Sequence, residues 1–86
     1  MTEIEDMGLK ELLEQGIQSE INSQNVYKAV ARESHSYSLS GKLRFLVEEE
    51  RDHEATLRRL FKENYPDEVP DIPQEVMKPA PDIDME

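Results

Sequence analysis

Residues 39–60 read LSGKLRFLVEEERDHEATLRRL, and this stretch decides the fold. Seven of its positions follow alternating steps of four and three residues, which is typical of the inward face of a packed helix. Five of the seven are leucines and two are ionisable: Leu39, Leu43, Leu46, Glu50, His53, Leu57 and Leu60. Burying a carboxylate and an imidazole without partners is costly. A bound metal ion is the simplest way to remove that cost.

The pair Glu50 and His53 has the spacing Glu-x-x-His, which points both side chains the same way from adjacent helical turns. A lone pair of this kind arises often by chance. A third candidate lies at a matching height, because Glu20 is 17 residues before a turn near residue 37, while Glu50 and His53 are 13 and 16 residues after it. The sequence therefore predicts that Glu20, Glu50 and His53 are metal ligands.

Two helices are expected, over about residues 9–34 and 39–64. Asp6 and Ser38 are the predicted N-caps, and the second helix should stop before Tyr65, which precedes a proline and so avoids the α region. Each helix would be about 39 Å long at 1.5 Å per residue. Equal lengths and a short loop predict an antiparallel hairpin. The first helix also carries one stripe: Leu9, Leu13, Ile17, Glu20, Gln24, Tyr27 and Ala31.

The predicted fold class is all-α, with a hairpin domain over residues 1–64 and an acidic tail over residues 65–86. The tail contains all five prolines and should be extended. Its apolar residues could hold it along a groove: Val69, Ile72, Val76, Met77 and Ile83. A lone hairpin has too little core to be stable in water. Pairing with a second copy about a twofold axis would close it into a four-helix bundle.

Composition narrows the classes of function. The absence of cysteine excludes disulfides, iron–sulfur clusters and thiolate zinc sites. A net charge of −10 argues against a nucleic acid or an anionic membrane as partner. The apolar runs are too short to cross a membrane, and the opening MTEIEDM has no signal-peptide pattern. We therefore expect a cytoplasmic protein.

Polar residues near the candidate ligands allow more than one interpretation. Tyr27 lies two turns beyond Glu20, and its phenol can lean back to donate a hydrogen bond to a ligand carboxylate; alternatively it is a buried tyrosine with some other partner. Gln24 could line an access path, bond a ligand or face a wet edge. A solvated surface is expected for the remaining acidic and imidazole groups: His35, Glu48, Glu49 and Glu54.

Two segments resemble the ferritin-like superfamily, specifically its rubrerythrin and encapsulated, half-size ferritin branch. They are EINSQNVY over residues 20–27 and EEERDHE over residues 48–54. The family pattern has a glutamate on helix one, a tyrosine seven residues later, and a Glu-x-x-His about thirty residues after the first glutamate. Here Glu20 and Glu50 are 30 residues apart. The resemblance covers about residues 9–64.

The resemblance implies a di-iron centre that oxidises ferrous ion with oxygen or peroxide, as a ferroxidase does in iron storage or detoxification. Glu20, Glu50, His53 and Tyr27 would form the catalytic group, with two irons per dimer; manganese or zinc are alternatives. The chain lacks the cysteine-rich rubredoxin domain of rubrerythrins proper and has half the helices of a full ferritin. The centre would therefore span the interface of a homodimer or a multiple of dimers. The tail could dock in an encapsulating shell, which would place the protein inside a nanocompartment.

Other functions remain open on the sequence. The same ligands could hold a metal without catalysis, or the hairpin could be an interaction module in which Glu50 and His53 are incidental. The tail also resembles the linker that joins two halves of a duplicated ferritin-like chain, so the sequence could be one half of a longer rubrerythrin-like protein.

Overall fold

A computed structural model describes residues 8–73, and within them the chain forms two helices. Helix α1 spans Leu9–Glu33 and helix α2 spans Tyr37–Asn64. Three residues, 34–36, connect them, and the helices pack side by side as an antiparallel hairpin. The predicted all-α hairpin is confirmed. Neither helix is long and apolar enough to cross a membrane.

The start of α2 corrects one prediction. The helix begins at Tyr37, two residues before the expected start, and its N-cap is Ser36 instead of Ser38. The Ser36 hydroxyl oxygen accepts a hydrogen bond from the Leu39 backbone N–H at 3.1 Å. Ser34 supports this cap, because its hydroxyl oxygen accepts from the Ser36 N–H at 3.0 Å. Ser36 is the N-cap because its backbone is extended just before the first turn of α2.

At the other helix ends the N-cap of α1 is Gly8 instead of the predicted Asp6, and α1 ends at Glu33, one residue before the expected end. Helix α1 begins after Gly8, which makes no side-chain cap, and the predicted cap Asp6 lies outside the described residues. Helix α2 stops at Asn64, next to the residue that precedes proline. The Asn64 side-chain amide donates to the Leu60 carbonyl at 2.8 Å and so satisfies one of the last carbonyls of the helix.

The core lies between the two helices and is small. Five apolar side chains of the hairpin are buried there: Leu13, Ile17, Leu43, Val47 and Phe61. Gly16 allows the helices to come close, since a Cβ at that position would lie 3.1 Å from the Leu57 Cδ1 atom. Gly16 lowers the intrinsic stability of α1, but it allows a closer contact between the helices.

The inward face of α2 was predicted correctly only in part. Of the expected leucines only Leu43 is buried, while Leu39, Leu46 and Leu60 are 44%, 36% and 37% exposed. The surface that contacts α1 also includes Val47 and Phe61, each one residue, or about 100° around the helix, beyond a predicted leucine. Leu57 of the predicted stripe faces Gly16 of α1, and Glu50 is 20% exposed. The predicted stripe therefore lies partly in the contact with α1 and partly at its edge, and we call this edge, with Leu39, Leu46, Glu50, His53 and Leu60, the open face.

Residues 65–73 pass back along the first turns of α1. The Lys10 ammonium pairs with the Glu68 carboxylate at 2.5 Å, and this carboxylate raises the pKa of Lys10. The Asp71 backbone N–H donates to the Glu14 carboxylate at 2.8 Å. The start of the tail is thus bound to the hairpin by polar contacts.

Apolar packing of the tail follows the prediction in part. Ile72 is 5% exposed, and the rings of Tyr65 and Phe61 lie 5.2 Å apart. Val69 is 82% exposed, so its predicted role in holding the tail is wrong. The other candidates, Val76, Met77 and Ile83, lie outside the described residues.

We expect Ile72→Ala to lower the free energy of unfolding by about 2 kcal/mol, because a buried isoleucine would leave a cavity. Val69→Ala is the matched control and should change it by less than about 0.5 kcal/mol. Urea denaturation of both variants measures the difference. Equal effects would show that the tail does not contribute to the core.

Candidate metal centre

The three predicted ligands come together at the middle of the hairpin. The Nδ1 atom of His53 lies 3.6 Å from a Glu20 oxygen and 3.4 Å from a Glu50 oxygen. One donor atom from each residue lies within 4.8 Å of the other two. Metal–oxygen and metal–nitrogen bonds of about 2.0–2.6 Å suit a cluster of this size. The geometry allows all three side chains to contact one ion.

Burial and hydrogen bonding also fit a cation. The side chains of Glu20 and Glu50 are 22% and 20% exposed, whereas His53 is 59% exposed on the open face. The Oε1 atom of Glu20 is buried and has no hydrogen-bond partner among residues 8–73. A buried carboxylate oxygen without a partner is costly. A cation beside it would remove that cost.

The pKa values of the cluster shift as expected for groups that share protons. Burial raises the pKa of Glu20, and the neighbouring Glu50 carboxylate raises it further. A hydrogen bond from the Glu20 carboxyl lowers the pKa of Glu50, as does His53. The Glu50 carboxylate raises the pKa of His53. In the metal-free protein, protons thus neutralise part of the charge that a metal would neutralise.

Apolar residues surround the cluster on the open face. Leu46 and Leu60 lie on the same side of α2 as Glu50 and His53, at helical spacing. They are partly exposed in the single hairpin. The arrangement is an ionisable cluster between α1 and α2, flanked by leucines that the hairpin leaves partly exposed.

Comparison with known proteins agrees with this site. The Rubrerythrin family model matches residues 11–85, a range that contains all three candidate ligands. This chain belongs to the rubrerythrin family. The family lies within the ferritin-like superfamily, so the resemblance stated above is confirmed. No curated protein and no solved structure gave a significant match.

Members of the rubrerythrin family typically bind iron in a ferritin-like di-iron carboxylate fold. The donor set of this member suits that chemistry, since two carboxylates and one imidazole without thiolate favour iron or manganese. Family membership and geometry therefore both indicate a candidate metal site at this cluster.

Tyr27 lies half-buried on α1. Within residues 8–73 its hydroxyl makes no hydrogen bond to Glu20 or Glu50, so its role as a donor to a ligand stays a prediction. His35 is exposed in the connection between the helices, as expected.

A polar network next to the cluster was not predicted. Gln24 is 7% exposed, and its side-chain amide donates to the Glu54 Oε1 atom at 2.7 Å. The Glu54 Oε2 atom accepts from the Arg58 guanidinium at 2.8 Å. Glu54 was expected on a solvated surface, and this was wrong because α1 places a buried amide opposite it. The sequence signal was Gln24, an amide inside an otherwise apolar stripe.

In this rubrerythrin-family chain the network orients the Glu54 carboxylate toward Gln24 and Arg58, since each of its oxygens accepts a hydrogen bond from one of them. The network also joins α1 to α2 close to the cluster, because Gln24 lies one turn beyond Glu20 and Glu54 follows His53. It therefore helps to hold the two helices in the register that brings the ligands together.

We expect Glu54→Ala to lower the free energy of unfolding by about 1–2 kcal/mol, because the buried Gln24 amide would lose its acceptor. Glu49→Ala removes an exposed carboxylate of the same helix and serves as the control, with an expected change below about 0.5 kcal/mol. Thermal melts of both metal-free variants test this. A Glu54→Ala protein as stable as the control would mean that the network carries no stability.

Proposed function

We propose that two copies of this chain pair through their open faces and bind two ferrous ions, which oxygen or peroxide then oxidises. The observation that carries the proposal is the convergence of Glu20, Glu50 and His53 at the edge of the helix contact, beside leucines that are partly exposed. A single hairpin offers only three donors, fewer than an iron site normally uses, and leaves that face in water. A second copy would supply the missing donors and cover the leucines.

Charge balance supports the pairing. Two hairpins would contribute four carboxylates and two imidazoles, and four negative charges balance two divalent ions. This is the donor set of di-iron bundles, in which two helices give a glutamate each and the other two give a Glu-x-x-His each. Without metal, the four carboxylates would repel one another in an apolar interior.

Each residue has a distinct task in the proposal. Glu20 and Glu50 hold or bridge the ferrous substrate, and each His53 binds one ion. Leu46 and Leu60 of both copies exclude bulk water, which strengthens the electrostatic contacts inside the bundle. Each ferrous ion gives up one electron to the oxidant and becomes ferric, and the ferric product is released or stored.

An anaerobic ferrous titration of the purified chain, with the mass measured by light scattering before and after, tests assembly and binding together. We expect one iron per chain and a dimer or a multiple of dimers. A metal-loaded protein with the mass of a monomer would contradict the pairing.

Admission of oxygen to the loaded protein then tests the chemistry. We expect oxygen uptake in proportion to bound iron, together with the absorbance of ferric ion. Tight binding without oxygen uptake would contradict the ferroxidase proposal and favour a site that only holds metal.

A further inference from the structure

A basic groove lies on the hairpin away from the metal cluster. It has a volume of about 440 Å³ and no residue in common with the cluster. Ala31 and Val47 form its apolar floor, and the carboxylate of Glu48 also lines it. Four of the ten lysines and arginines of the chain complete the lining: Lys28, Arg32, Arg44 and Arg51. This concentration of positive charge is notable in a chain with a net charge of −10.

Most of this charge is not neutralised. Arg51 pairs with the Glu48 carboxylate at 2.8 Å. Lys28, Arg32 and Arg44 are exposed and form no salt bridge within the described part of the chain. Lys28 and Arg32 are four residues apart on α1, a spacing at which like charges destabilise a helix. A bound anion would relieve this repulsion.

We propose that the basic groove binds a compact anion with two or more phosphate groups. The guanidinium group presents a planar fork of donors that matches phosphate oxygens two at a time. Three unpaired cations match the charge of a diphosphate or triphosphate better than that of a single carboxylate. The volume falls within the range of about 300–1,000 Å³ that small-molecule sites occupy.

The net negative charge of the protein restricts which anions can bind the basic groove. A net charge of −10 repels anions at long range, so binding requires local contacts that overcome this repulsion. A long polyanion would meet the acidic remainder of the surface, whereas a compact one can lie within the groove. Affinity should fall as salt concentration rises, because these contacts are exposed to solvent.

Calorimetric titration of the full, metal-free chain with tripolyphosphate tests the proposal. Arg44→Gln should weaken binding about tenfold, because it removes a charge-assisted pair of hydrogen bonds, and Arg32→Gln should act in the same way. Lys62→Gln changes the net charge equally on an exposed part of α2 outside the groove, and should leave the affinity within about twofold. Equal losses in Arg44→Gln and Lys62→Gln would overturn the proposal.

A second pair of variants should act in the opposite direction. Glu48→Gln removes the carboxylate that neutralises Arg51, so tripolyphosphate should bind several-fold more tightly. Glu63→Gln makes the same change in net charge elsewhere on α2 and should have a smaller effect. No gain in Glu48→Gln beyond that of Glu63→Gln would contradict the assignment of Arg51 to the site.

Further titrations identify the kind of anion. Binding of tripolyphosphate and of a nucleoside triphosphate with equal affinity supports recognition of the phosphates alone, and tighter binding of the nucleotide adds contact with Ala31 and Val47. Citrate or sulfate binding as tightly as tripolyphosphate would overturn the preference for phosphate. The last titration uses a synthetic peptide of residues 74–86. If this peptide binds the groove and tripolyphosphate does not, the proposal of a phosphate ligand is overturned in favour of an acidic peptide segment.

Discussion

Glu50→Ala and His53→Ala should each abolish stoichiometric ferrous binding, whereas Glu48→Ala should leave it intact. In the paired bundle that we propose, each substitution would remove two donors from one shared centre. Loss of residues that merely support ligands typically costs about 10–100-fold in metal affinity, so loss of the ligands themselves should cost more. Anaerobic titration against a competing chelator measures the affinity.

Glu48 is a stringent control because it lies only two residues from Glu50 and has the same side chain. Its carboxylate is 64% exposed and pairs with Arg51 on the side of the basic groove. If Glu48→Ala weakened iron binding as much as Glu50→Ala does, the metal site would not lie on the open face.

Metal should stabilise the protein, and the gain should grow as pH rises from about 5.5 to about 8.5. The folded pKa of Glu20 is raised from 4.5, and that of His53 is raised from 6.5. A raised pKa gives stability that is present below the unfolded value and is lost as pH rises through the folded value. The metal-free protein should therefore melt at lower temperature at about pH 8.5 than at about pH 6.

The pKa shift of Glu50 changes the stability of the metal-free protein in the opposite direction, and it does so at lower pH. Its folded pKa is lowered from 4.5, so its contribution is present above that value and is lost on acidification below it. The metal-free protein should thus be most stable in mildly acidic solution. Solvent screens the exposed His53 imidazole, which limits its share of the loss.

Metal reverses the trend because it binds the deprotonated ligands. At a hundredfold excess over its dissociation constant it adds about 2.7 kcal/mol to the free energy of unfolding. Melting curves with and without manganous ion, which avoids oxidation, measure this across the pH range. Glu20→Gln should flatten the metal-free profile and Glu49→Gln should not. A melting temperature that is the same with and without metal at every pH would indicate a solvated surface in place of a metal site.

Much of the fold could be predicted because its determinants are local. The helical period over residues 39–60 and the proline after Tyr65 were enough to place α2 and its end. The start of α2 could not be placed, because Ser36, Ser38 and Ser40 are all suitable caps. The structure chooses Ser36, where the backbone is extended and a hydroxyl oxygen meets the Leu39 N–H.

The convergence of Glu20, Glu50 and His53 could also be predicted, since their types and spacing are properties of the sequence. The hydrogen-bond partner of Glu54 could not be predicted, because an exposed and a half-buried glutamate on a charged helix have the same sequence pattern. The distinction depends on what the neighbouring helix places opposite, and here that is the buried amide of Gln24.

By itself, the sequence determined two helices, their hairpin arrangement and the set of residues that share a face with Glu50 and His53. The tertiary structure decided which side of α2 contacts α1. The apolar stripe of α2 is wide enough to include both Leu46 and Val47, and periodicity does not say which half a single neighbour will cover. Because α1 packs toward Val47, the cluster lies between the two helices and Leu46 and Leu60 beside it stay partly exposed, where the second hairpin that we propose would cover them.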